Sequence, residues 1–184
     1  IASSSIRRRA QWLKKYPGSS IDNIRGNVGT RLRKLAESTW DGALFAAAGL
    51  ERLGIDKEIS HPLVTLDWML PAPAQGAIMV MCREGDSRLL EACDRINHAD
   101  SRLCIELERE VLRLLKAGCS TPVGALSRVN GGDIRLQVNI TAPDGSGQVE
   151  YLGKAAHESW QQLAAEAVEQ LLAKGGSKWL AHGG

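Results

Sequence analysis

A chain of 184 residues, 43% hydrophobic and 24% charged, is long enough for one large domain or two small ones, and it can bury a core without disulfide staples. A net charge of +2 excludes wholesale polyanion binding, so any basic function must come from local clustering of arginines. No apolar run approaches the roughly 18–20 residues of a membrane span, and the four cysteines form no CxxC pair, so free thiols, no zinc, no membrane contact and a cytoplasmic location are expected.

The first residues show no signal-peptide pattern and no initiating Met, and "IASSS" reads as the tail of a β-strand running into a capped helix, so a piece of a longer chain is expected. "SSSIRRR", Ser3 to Arg9, then breaks a local rule. The first turn of a helix carries unpaired N–H groups and the positive end of the dipole, which favours acidic residues there, yet three arginines follow the serines. Such a start is suited to a carboxylate or phosphate, with a solvated basic face as the plain alternative. Ile6, Ala10 and Leu13 share one helical face, and "YPG" at Tyr16 to Gly18 ends the helix.

A short strand is expected at Ile21 to Arg25, followed by the turn "GNVGT" and a second helix, "RLRKLAES", again beginning with arginines at Arg31 and Arg33. The apolar run Ala43 to Leu50 suits a buried parallel strand. The order β-α-β-α-β implies an α/β, doubly wound unit, in which ligands bind outside the carboxyl ends of the strands. Ser5, Arg7, Arg8, Arg25, Asn27 and Arg31 are therefore expected to converge on one cleft. "LPAPAQGAIMVMCR", Leu70 to Arg83, reads as a proline-rich hinge leading into a strand of alternating bulk, a crossing between domains.

Beyond it, Asp100 or Ser101 is expected to cap a long helix with Leu103, Leu107, Val111, Leu114 and Leu115 inward and Gly118 as its left-handed terminator. Strands at Val123–Val129, Ile134–Thr141 and Gln148–Ala155 are joined by the turns "NGGD" and "PDGSG". A last helix with Trp160, Leu163, Ala164, Ala167, Val168, Leu171 and Leu172 at helical spacing closes at Gly175, giving a small α+β domain with a three-stranded antiparallel sheet. Cys93 and Cys104 read as core thiols, whereas Cys119, in "AGCSTPVGA", falls in a loop after a helix end. A helix C-terminus does not depress a thiol pKa, so Cys119 reads as a plain loop cysteine or as an anchor modified once.

"SSSIRRRAQ", "IRGNVGTRLRKL", "AAAGLERLG", "LPAPAQGA" and "AGCSTPVGA", in this order, resemble the porphobilinogen deaminase (hydroxymethylbilane synthase) family across nearly the whole chain. The resemblance implies a polymerising transferase that condenses porphobilinogen, with release of ammonia, into a linear tetrapyrrole, primed on a dipyrromethane cofactor held by a thioether to Cys119. It further implies that Ser5, Arg7, Arg8, Arg25, Arg31 and Arg52 bind the acetate and propionate carboxylates of cofactor and growing chain, with Asn27 and Gln75 in matching motif positions. Residues 1–75 then resemble domain 2, a periplasmic-binding-protein-like unit with its hinge, 76–96 a segment returning to domain 1, and 97–184 domain 3. The implied partners are porphobilinogen, the growing chain and the rest of domain 1, which carries the family's catalytic aspartate. No residue here takes that aspartate's role, so this chain alone is expected to be inactive, and monomeric. Two departures stand out: Ala74 where the family usually has glycine before the glutamine, and "LKAGC" where "LEGGC" is common.

Three rival readings are weighed. A nucleic-acid module lacks stacking platforms, since aromatics are 4% and do not interleave with the basic run. A nucleotide enzyme lacks the glycine pattern and the acidic residue it needs. A non-catalytic small-anion binding protein would use the same arginines without a covalent adduct on Cys119.

Overall fold

The structure is a computed structural model that describes residues 1–55, 59, 62–118 and 121–180. Helix α1, Ile6–Lys15, starts where Ser5 Oγ accepts from the Arg8 N–H at 3.4 Å, and Lys14 and Lys15 complement the dipole at its other end. Its buried stripe is Arg7, Ala10 and Gln11, with Ile6 exposed. The expected Ile6–Ala10–Leu13 face is thus corrected: two polar side chains turn inward because they bond the backbone of Leu70. Helix α2, Val28–Ala36, begins inside the glycine turn, capped by Asn27, whose Oδ1 accepts from the Thr30 N–H at 2.8 Å.

Parallel pairing is present but minimal. Ala2 lies between Asp22 and Ala43, bridging each in parallel, with Ser3 N–H donating to Asp22 O at 2.8 Å and Leu44 N–H to Ala2 O at 3.0 Å. The strand expected at Ile21–Arg25 is therefore a single bridge at Asp22. The strand expected over Ala43–Leu50 is also one bridge, after which the chain turns helical as α3, Ala47–Arg52. Its alanines and leucine are strong helix formers, and the run contains no β-branched residue to favour extension.

The strand expected after the hinge does not form. Residues 77–83 make no strand pairing among the described residues, and Ile78, Met79, Val80 and Met81 are exposed. Helix α4, Ser87–Ile96, was not foreseen, although Asp86 caps it by accepting from the Leu89 N–H at 3.0 Å. Leu89, Leu90 and Ile96 on α4 are exposed as well, so residues 76–96 present a surface carrying several large apolar side chains that join no core among the described residues.

Helix α5, Ala99–Leu114, is capped by His98, whose Nδ1 accepts from the Ser101 N–H at 3.2 Å, so Asp100 and Ser101 lie inside the first turn instead. It ends one turn before Gly118: Lys116 takes the left-handed conformation, φ 50, with its N–H on Arg113 O and that of Ala117 on Leu112 O. Strands β1, Val123–Asn130, β2, Asp133–Thr141, and β3, Gln148–Ala156, form an antiparallel sheet in that order, with Val138 opposite Ala125 and Tyr151. Helix α6, Trp160–Ala173, closes on Gly175 at φ 85. Alternate β2 residues Ile134, Leu136, Val138 and Ile140 meet Leu107 and Val111 of α5 and Leu163, Ala167 and Leu171 of α6. Each buried branched side chain contributes about 1.5–3 kcal/mol, so this is the stable centre of the chain. Cys104 packs at its edge, but Cys93 does not join it; Cys93 lies beside Cys82 on the surface of residues 76–96.

The N-terminal part docks on this unit through polar contacts around residues 70–71. Gln11 Oε1 accepts from Leu70 N–H at 2.9 Å and from Asn139 Nδ2 at 3.1 Å, while Gln11 Nε2 donates to Leu70 O at 3.1 Å. Ala125 N–H donates to Pro71 O at 3.1 Å. The β2–β3 turn then touches the end of α1, where a Cβ on Gly145 would lie 2.5 Å from the Leu13 carbonyl carbon.

Candidate functional site

The N-terminus of α1 opens into a cavity of about 730 Å³ between the two parts of the chain. Ser5, Arg7, Arg8 and Gln75 line it on one side, and Gly118 and Thr121 on the other. Ile6, Pro73, Leu112 and Val123 supply apolar wall, so cationic forks and flat apolar surface share one space. Cys119 lies outside the described residues, but its described neighbours on both sides, Gly118 and Thr121, face the cavity, and Thr121 N–H donates to Gly118 O at 3.1 Å. A larger cavity of about 1010 Å³ lies under residues 76–80 and belongs to the surface of residues 76–96, away from these arginines.

Arg7 is buried and bonds the protein itself: Nη1 donates to Leu70 O, and Nη2 to Gln75 Oε1 at 3.2 Å. Burial, then the neighbouring Arg8, push its pKa down to about 10, which leaves it a cation at neutral pH. Arg8 donates to Leu44 O at 3.1 Å, and burial followed by the charge of Arg31 lowers its pKa also. None of the ion pairs among the described residues involves an arginine of this cluster, and no acidic residue occupies the first turn of α1 or α2. Crowded, partly desolvated cations without counter-ions raise the free energy of the folded chain until an anion enters, and fork geometry suits carboxylates.

Of the six residues expected to converge, Ser5, Arg7 and Arg8 line the cavity together, and Gln75, expected only in a matching motif position, lines it with them. Arg31 sits close enough to Arg8 to act on its charge, but its Nε is engaged with Gly26 O at 2.8 Å. Asn27 does not line the cavity; its Oδ1 caps α2 by accepting from the Thr30 N–H. Arg25 and Arg52 are exposed and line no part of the cavity. Physically, α2 and α3 hang on single parallel bridges rather than on a ladder that would draw their N-termini together. Gln11 and Thr121 were missed in the sequence. The signal for Thr121 was its place two positions after Cys119; the signal for Gln11 was a polar residue at the fourth position after Arg7.

Models of two porphobilinogen deaminase domains match the chain. The "dipyromethane cofactor binding domain" matches residues 1–91, and the "C-terminal domain" residues 102–173. The chain belongs to the porphobilinogen deaminase family. The chloroplastic porphobilinogen deaminase of Pisum sativum is 39% identical over 180 residues, covering 96% of this chain and 48% of the relative. Those of Desulforamulus reducens and Acidithiobacillus ferrooxidans are 37% identical over 180 residues and 43% over 145, covering 98% and 79% of this chain and 58% and 47% of the relatives. The chain thus spans about half the length of the curated relatives it matches.

Ala74 has φ 59, in the left-handed region. An L side chain in that region costs about 1–2 kcal/mol, of which glycine gives back about 0.5–1 through its freer unfolded chain. Ala74→Gly is expected to raise stability by about 0.5–1 kcal/mol, or about 1–4 °C in a thermal melt.

Proposed function

We propose that this chain supplies the carboxylate-binding domain, hinge and cofactor-bearing domain of a polymerising transferase that condenses porphobilinogen head to tail, with loss of ammonia, into hydroxymethylbilane. The observation that carries the reading is the shared cavity: the neighbours of Cys119 face the same space as Ser5, Arg7, Arg8 and Gln75, and those cations have no counter-ion among the described residues.

The residues present fit a dipyrromethane. Flat rings match the apolar wall of Ile6, Pro73 and Leu112, and carboxylate arms match Arg7 and Arg8 with the α1 N-terminus. When bound through Cys119, that group supplies the primer onto which pyrrole units are added. Each unit brings two carboxylates, so Arg7 and Arg8 act by neutralising and orienting them, while Ser5 adds an O–H donor. Arg31 serves the lengthening chain from beside Arg8, and Arg25 and Arg52 serve it from farther out. Proton handling is left to a residue outside this chain.

The complete enzyme in this reading has residues 1–75 as domain 2, with the parallel bridges at Ala2 supporting a binding-protein-like doubly wound sheet. Residues 97–184 form domain 3. Residues 76–96 join domain 1, and their exposed Ile78, Val80 and Leu90 supply the apolar surface such packing needs. Porphobilinogen added to the complete enzyme is expected to yield ammonia and a linear tetrapyrrole. Binding of porphobilinogen with no ammonia released would instead support a non-catalytic anion binder.

A further inference from the structure

Glu108, on α5, is a buried carboxylate 6% exposed that touches neither the cavity nor any cation among the described residues. All its partners are donors. Oε1 accepts from the N–H and the Oγ of Ser127, both at 2.7 Å, and Oε2 accepts from the N–H of Ala74 at 2.6 Å. A carboxylate offers an acceptor oxygen on each side, and here both are used.

The bond to Ala74 reaches the site in two steps. Ala74 is held at φ 59, a conformation alanine leaves unless constrained, and the next residue is Gln75. Gln75 Oε1 in turn accepts from Arg7 Nη2 at 3.2 Å and from the Ala72 N–H at 3.1 Å. We infer that Glu108 is a positioning residue: it pins the 72–75 loop of the hinge to the C-terminal unit and thereby sets Gln75 and the Arg7 guanidinium for substrate carboxylates. This rests on the proposed deaminase reading.

Glu108→Gln separates the bonds. A glutamine has one acceptor, and keeping it on the two Ser127 donors turns its NH2 toward the Ala74 N–H. In the complete enzyme, Glu108→Gln is expected to raise KM for porphobilinogen about tenfold with kcat little changed, the size of one lost charge-assisted hydrogen bond in uniform binding. Amide exchange at Ala74 and Gln75 is expected to speed up while the α5 and β1 amides stay protected. Ser127→Ala, which leaves the Ala74 bond alone, is expected to match the parent. An active parent whose Glu108→Gln variant keeps both its KM and its Ala74 protection overturns the clamp, as does a KM loss with no faster exchange at Ala74. A parent that never releases ammonia from porphobilinogen overturns the deaminase reading, and the exchange result at Ala74 still tests the clamp.

Discussion

Replacing Arg8 by glutamine is expected to lower kcat/KM of the complete enzyme for porphobilinogen about a hundredfold without lowering the melting temperature of the chain. Arg8 lines the cavity, its guanidinium donates to Leu44 O, and it has no carboxylate partner among the described residues. A charge-assisted contact to a bound carboxylate contributes about 1.5–3 kcal/mol, and about 2.7 kcal/mol corresponds to a hundredfold. The stability sign runs the other way. Burial and Arg31 both lower the Arg8 pKa, so its charged form is disfavoured in the folded chain relative to the unfolded one. At neutral pH that penalty is present, and removing the charge lifts it. A loss of activity coupled to a clear drop in melting temperature would mean that Arg8 holds the fold rather than the ligand.

Gly145→Ala is expected to be the most damaging single change to stability. Its φ is 76, and a Cβ there would stand 2.5 Å from the Leu13 carbonyl carbon and 2.6 Å from the Lys14 nitrogen. Those are helix backbone atoms, which cannot swing aside as a side chain can. The left-handed conformation costs alanine about 1–2 kcal/mol, and forcing the turn off α1 adds about 1–3 kcal/mol. The sum, about 2–5 kcal/mol, lowers the melting temperature by upward of about 4 °C. Gly131→Ala is the matched comparison, since Gly131 has φ 63 in the β1–β2 turn with nothing within 4 Å of its Cβ position. Its loss should be limited to the backbone part. Equal losses at the two positions would show that the β2–β3 turn does not rest on α1 in solution.

The C-terminal unit was readable in the sequence because its signals are local. Turns with glycine bound each strand, apolar residues alternate along β2, and α6 carries Leu163, Ala167 and Leu171 at helical period; the strand ends differ from expectation by a residue or so. The N-terminal part was less readable because its order depends on non-local pairing. Ala43–Leu50 is apolar enough for a buried strand, but helix propensity decides where only one bridge at Ala43 holds it extended. The same reason separates the site residues: Ser5, Arg7 and Arg8 sit on one capped helix and meet in the cavity, whereas Arg25 and Arg52 follow single parallel bridges and lie outside it. His98 as a cap and Lys116 as a left-handed terminator escaped notice because neither residue type is the common choice for its position. Glu108 carries no sequence signal at all. Its three donors come from residues 19 and 34 positions away, and only the fold brings them to one carboxylate.

Intact mass measurement of the complete enzyme as isolated, with peptide mapping across "AGCSTPVGA", tests the central claim most directly. Two linked pyrrole units on Cys119, released from no other peptide, are the predicted result. An unmodified Cys119 thiol in enzyme that nonetheless converts porphobilinogen, or an adduct carried by a different residue, would contradict the account.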